Sequence, residues 1–184
     1  MRDLKMENRA VFSDKKAIAK LIDFLLDSDR HKAVFDELSA REPALKETGT
    51  FTQFSKEFVP AKLALGCVFW RGICASEGIN DKEIENIFFK EVMNLFQSPQ
   101  SLENATRFSE SLYASNAEHE ESPVLAIMFH LFHKIGLHAT ERLDADSSEK
   151  KVGEGFQFMM GVCDAMKNAF ETLFAELDNS QTNF

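Results

Sequence analysis

Residues 152–177 read VGEGFQFMMGVCDAMKNAFETLFAEL, in which Val152, Phe156, Met159, Cys163, Met166, Phe170, Leu173 and Leu177 are apolar at steps alternating between four and three. A mean step of about 3.5 residues keeps one stripe on one side of a helix, the pattern of helices packed lengthwise. The stripe therefore predicts a long C-terminal helix lying along neighbours of its own kind. That in turn points to an all-α fold.

Working outward, helix start and stop signals recur along the chain, with no convincing strand alternation. Ser13 is placed to cap a helix carrying Ile18, Leu21, Ile22, Leu25 and Leu26 on one face. Ser28 caps the next, where His31, Val34, Phe35 and Leu38 align, and Pro43 ends it. Thr50 and Gln53 form a capping box ahead of Phe51, Phe54 and Phe58. Pro60 is expected to break or kink the chain before a second run to Glu77, closed by Gly78. Asn80 and Glu83 form another capping box for a helix burying Ile84, Ile87, Phe88, Val92, Leu95 and Phe96. Ser98 and Pro99 open a more polar, surface helix to about Ser115. Ser122 and Pro123 start an apolar one to about Leu143, and residues 178–184 read as a frayed tail.

On a helical wheel only Lys62 and Arg71 interrupt the apolar coat of the Pro60–Glu77 run, and the Pro123–Leu143 run is almost as apolar. Helices apolar nearly all round belong at the centre of a bundle. The expected architecture is one domain over residues 1–184, a bundle of seven or eight helices around a single core.

Composition narrows the function classes. The chain of 184 residues carries a net charge of −9 with no basic stretch, a poor match to a phosphate backbone, so no nucleic-acid partner is expected. Its three cysteines are too few and too scattered for a disulfide framework, which fits a reducing compartment. The N-terminal stretch lacks the pattern of a signal peptide, and the longest uninterrupted apolar run, Leu63 to Trp70, is too short to span a bilayer. The expectation is a cytoplasmic protein. Eighteen Phe against one Tyr and one Trp suit core packing, and equally an apolar ligand pocket.

The constellations that could carry chemistry are sparse. His130, His133 and His138 lie on the Pro123 helix, the first two about 60° apart, with Lys134 and Glu141 in their sector. They read as the polar strip of an oily helix; ligation of a metal or haem is the sharper alternative. Glu-x-x-His and His-Glu-x-x-His pairs are absent. Arg71 sits among Ala64, Cys67, Cys74 and Ala75, small neighbours that leave room for a planar anion, though an internal ion pair is the plainer reading. Cys67 and Cys74 are two turns apart, roughly 10 Å along the axis, too far for a disulfide, and read as buried inert thiols. Asp144, Asp146 and Ser148 begin like a calcium loop, but Glu149 and Gly155 stand where Gly and Glu are required. Gly153 and Gly155 lack the third glycine of a dinucleotide fingerprint and are expected to let another backbone approach the last helix.

With no catalytic, cofactor or metal motif, the expected function is that of a non-enzymatic binding or regulatory protein working through protein contacts. Its partner would be a second copy in a homodimer or another helical protein. The interface would be the stripe: Phe156, Met159, Met166, Phe170, Leu173 and Leu177. The alternative is a binder of an apolar small molecule such as an acyl chain, with Arg71, His130, His133, Met159 and Met166 as the candidate ligand-binding residues.

Overall fold

The computed structural model describes residues 9–48, 50–115, 122–137 and 153–181. Among these the chain is all-α. The helices are α1 (Arg9–Ser13), α2 (Lys15–Leu26), α3 (Ser28–Arg41), α4 (Pro43–Thr48), α5 (Phe51–Ser76), α6 (Lys82–Asn94), α7 (Leu102–Ser115), α8 (Pro123–Lys134) and α9 (Glu154–Gln181), with a 3-10 turn at Pro99–Ser101. All but α1 and α4 are 12 residues or longer. The buried apolar side chains form one contiguous core.

Helix α5 is the axis of the bundle and touches α2, α3, α6, α7, α8 and α9. Its 26 residues run unbroken through Pro60, where a break or kink was expected. A proline removes one hydrogen bond and crowds the preceding turn, but here the burial of Phe58, Pro60 and Ala61 in the core outweighs that loss and the helix stays continuous. By length and composition α5 could also cross a bilayer, a property the eight-residue run Leu63–Trp70 does not show; 72% of the most apolar 18 residues of α5 is buried within the fold. Gly78 stops it at φ +69°, with Ile79 N–H donating to the Cys74 carbonyl at 2.8 Å.

Several boundaries differ from the sequence reading by one residue. Asp14, Asp27 and Asp81 cap α2, α3 and α6, in place of Ser13, Ser28 and Asn80; each carboxylate accepts the backbone N–H two residues on. Thr50 caps α5 through Gln53 N–H, as expected. Helix α8 ends at Lys134, well short of Leu143, because Gly136 adopts φ +76° and Leu137 N–H closes back on the Phe132 carbonyl at 2.9 Å. The polar helix α7 is not wholly superficial: Phe108, Ser111 and Leu112 are buried, and it packs on α5 and α8. Helix α9 continues through the first part of the expected tail, to Gln181.

The long C-terminal helix lies flush against the bundle, touching α1, α2, α3, α5 and α8. Phe156, Met159, Cys163, Met166, Phe170 and Leu177 are buried, while Leu173 is half-buried; Val152 lies outside the described residues. Aromatic rings knit the centre together: Phe170 meets Phe69 and Phe88 edge-on, and Trp70 stacks on Phe88 with ring centroids 5.8 Å apart.

Two glycines act by their lack of a side chain. A Cβ on Gly66 would lie 2.4 Å from Leu25 Cδ1 and 3.1 Å from the Phe88 ring, so Gly66 sets the approach of α2 and α6 to α5. Gly66→Ala is expected to destabilise by a net of about 1–2 kcal/mol, overpacking outweighing the helix propensity gained, as read by a lower urea midpoint. Gly155 admits a side chain where a backbone was expected: Glu42 Oε1 accepts its N–H at 3.1 Å, a carboxylate from the α3–α4 junction seated on the first turn of α9.

Candidate functional site

A half-enclosed cavity of about 200 Å³ opens where α2, α3, α5 and α9 meet. Its walls come from Phe24 on α2, Val34 on α3 and Phe58 on α5. Along α9, Val162, Ala165, Met166 and Ala169 form the facing side. The gap has a local cause. Ala165 and Ala169 are one turn apart beside the stripe, and their short side chains leave room at this wall. The two polar groups of the lining, Arg30 and Lys62, are both cationic.

Lys62 is the unusual one. It lies one turn after Phe58 on α5 and is only 4% exposed. Its Nζ lies 2.8 Å from His31 Nε2 and 5.6 Å from the Phe58 ring centroid. No carboxylate comes within ion-pairing distance of it among the described residues, where His31 is its one hydrogen-bond partner. Asp27 is engaged elsewhere, accepting from Arg30 Nε at 3.0 Å and from Asp29 N–H. Burial pushes the Lys62 ammonium down from its usual 10.5 to about 8; Asp27 pulls it back and Arg30 lowers it further.

His31 is likewise buried, edge-on to Phe58 with ring centroids 5.6 Å apart. Its Nε2 also lies 3.3 Å from the Leu25 carbonyl. One imidazole nitrogen cannot accept from an ammonium and donate to a carbonyl at once. While Lys62 is charged, Nε2 accepts. Burial, and then the Lys62 charge, hold the His31 pKa below its ordinary value, which keeps the ring neutral for that role.

A second polar cluster joins α5, α7 and α8. Arg107 Nε donates to Glu57 at 2.7 Å and its Nη2 to Glu103 at 2.6 Å, while Lys134 Nζ donates to Glu110 at 2.7 Å. The hydrogen bond from Lys134 holds the Glu110 carboxyl below its usual range. Here acids and bases neutralise each other, as in a strap between helices. Arg107→Ala is expected to destabilise by about 1–3 kcal/mol, measurable by urea unfolding, since it orphans the partly buried Glu57.

Of the residues singled out from sequence as ligand-binding, Met166 alone lines the cavity. Arg71 is half-buried, with no hydrogen bond or ion pair to another described residue. His130 is half-buried beside the α7–α8 strap, its pKa lowered by burial and then by Lys134, whereas His133 is exposed. His138, Glu141, Asp144, Asp146 and Ser148 lie outside the described residues. No cluster of three or more metal-ligating side chains occurs among the described residues. Met159 is fully buried in the core. The thiols are also buried: desolvation pushes Cys67 and Cys163 up to about 12 and Cys74 to about 11.

A shallower groove of about 680 Å³ runs along the outer side of α9, where Phe158 and Val162 are half-buried and Arg41 lies 5.0 Å over the Phe158 ring.

Comparison with protein-family models, with curated proteins and with solved structures gives no significant match.

Proposed function

We propose that this protein binds short- to medium-chain apolar carboxylates, with the carboxylate at Lys62 and the chain against Phe24, Phe58, Val162 and Met166. One observation carries this reading: Lys62, a buried lysine without a carboxylate partner among the described residues, lines a cavity whose remaining walls are apolar apart from Arg30. Such a charge is costly to bury uncompensated, and an anionic ligand supplies its missing counterion. Two N–H bonds of Lys62 remain for a carboxylate once His31 has taken one. Arg30, largely exposed at the rim and paired with Asp27, lies beside Lys62. The cavity holds at least six or seven water-sized groups at roughly 30 Å³ each, which suits a chain of modest length.

Octanoate is the probe of choice. At a hundred times its Kd it should add about 2.7 kcal/mol to stability, raising Tm by roughly 5–10 °C in a protein of this size. Octanol should act weakly and octylamine not at all. Equal stabilisation by all three would remove the role given to Lys62. Affinity should hold between pH 6 and 8, then fall by about tenfold per pH unit as the ligand-free Lys62 loses its proton. A flat profile from pH 7 to 9.5, measured by calorimetry, would contradict the assignment.

Association with a helical partner, or with a second copy, is the second reading. Five of the six stripe residues assigned to it are buried within the chain and Leu173 half-buried, so the reading now rests on the groove beside Phe158. A strict monomer by light scattering at micromolar concentration would exclude the homodimer.

A further inference from the structure

We propose that Lys62 also captures apolar aldehydes covalently, forming an imine in the same cavity with His31 as proton carrier. This rests on the pocket argued above but asks more of it: a nucleophilic amine and a base in contact. Both are present. Lys62 lines the cavity, and His31 Nε2 lies 2.8 Å from its Nζ. An aldehyde enters tail-first like the acid, and its carbonyl carbon comes to the place of the carboxylate carbon.

The step balances without any further reagent. The neutral amine's lone pair attacks the carbonyl carbon, the N–C bond forms, and the carbonyl π pair moves to oxygen. Nitrogen gives a proton to His31 Nε2, which passes it to the oxygen of the carbinolamine. Loss of that hydroxyl as water, with a second proton from nitrogen travelling the same route, leaves the C=N bond. One aldehyde and one amine become one imine and one water, with nothing oxidised or reduced.

The surroundings favour the neutral amine. The charged or titratable groups around Lys62 are His31, Arg30 and Asp27, all from α3 and its junction with α2; the α9 wall contributes only apolar side chains. Desolvation is a recognised way to activate a lysine, and here it outweighs the opposing pull of Asp27. Burial lowers the Lys62 pKa from 10.5 to about 8, so at pH 7 the neutral amine is far more populated than in an ordinary exposed lysine.

The test is brief exposure of the full chain to substoichiometric octanal at pH 7 with sodium cyanoborohydride, followed by peptide mapping. Lys62 should carry at least tenfold more octyl adduct than the exposed Lys16 or Lys32, and octanoate should suppress that adduct. Lys62→Arg, checked for folding by circular dichroism, should lose the adduct. His31→Gln should slow labelling by about tenfold. Adduct on the exposed lysines with none in excess at Lys62 overturns the covalent step. If octanoate still binds in that case, the carboxylate reading stands; if it does not, both fall. Unchanged labelling in His31→Gln overturns the proton-carrier role.

Discussion

Lys62→Met is expected to make the ligand-free protein more stable while lowering its affinity for octanoate at least tenfold. The two effects share one cause. Methionine has nearly the length of lysine and places an apolar group among Phe58, Val162 and Met166, where the ammonium had no counterion. It leaves little unsatisfied behind it: His31 Nε2, relieved of Lys62, takes up the proton and donates to the Leu25 carbonyl 3.3 Å away. The size of the gain follows from linkage. A fall from 10.5 to about 8, at 1.36 kcal/mol per pH unit, means that the charged form opposes folding by roughly 3 kcal/mol. Imperfect packing of the new side chain reduces the net gain to about 1–3 kcal/mol, or roughly 3–10 °C in Tm.

The pH dependence of that gain is specific. The folded state holds the Lys62 proton less tightly than the unfolded state. The destabilisation is therefore fully present below pH 8 and fades between pH 8 and 10.5. The buried thiols act in the opposite sense: their raised pKa values make alkaline pH favour the unfolded chain above about pH 9. They do so equally in both proteins. The stability difference between Lys62→Met and the parent, from urea unfolding at pH 6, 7.5 and 9, should thus shrink towards the alkaline end. A variant less stable than its parent at pH 6 would mean that the ammonium is satisfied in place, and the case for an anionic ligand would go with it.

The fold was legible because apolar periodicity is a local signal and the bundle obeys it. The eight-residue stripe marked α9, and the two nearly all-apolar runs marked the helices α5 and α8. The errors arose where two neighbouring residues offer the same chemistry or where packing outweighs local preference. Ser13 beside Asp14, and Ser28 beside Asp27, are both able to cap; which one does depends on where the chain turns. Pro60 itself is buried against the core, so tertiary packing outweighs the hydrogen bond it lacks. Gly136 was overlooked as a stop because apolar residues continue past it.

The site was less legible for a physical reason. Lys62 showed only as an interruption of an apolar coat, and His31 only as one member of an apolar face. Their contact spans 31 residues of sequence and has no period. The cavity itself is made by what Ala165 and Ala169 do not fill. A lysine flanked by Ala61 and Leu63 within a central helix was the available signal. Such a lysine has to find a partner somewhere, and the chain held a histidine on the facing helix where a carboxylate would be usual.

Phe170→Ala is expected to produce the largest loss of stability, about 3–5 kcal/mol. Phe170 is fully buried, its ring 5.7 Å from Phe88 and 5.9 Å from Phe69, so truncation opens a cavity lined by rings that belong to α5 and α6. Those helices are themselves held at close approach by Gly66 and cannot collapse to refill it. Phe158→Ala, outside the stripe, with a half-buried ring beneath Arg41, should lose no more than about 1 kcal/mol. Set against a total stability of about 5–15 kcal/mol, the first change takes a large share and the second a small one. Repeating the unfolding at two protein concentrations adds a second discrimination. If the stripe is buried by its own chain, the Phe170→Ala loss is independent of concentration; if a second copy covers it, the midpoint rises with concentration. Losses of similar size for the two variants, with a concentration-dependent midpoint, would place the stripe between subunits and return the oligomer to the front of the argument.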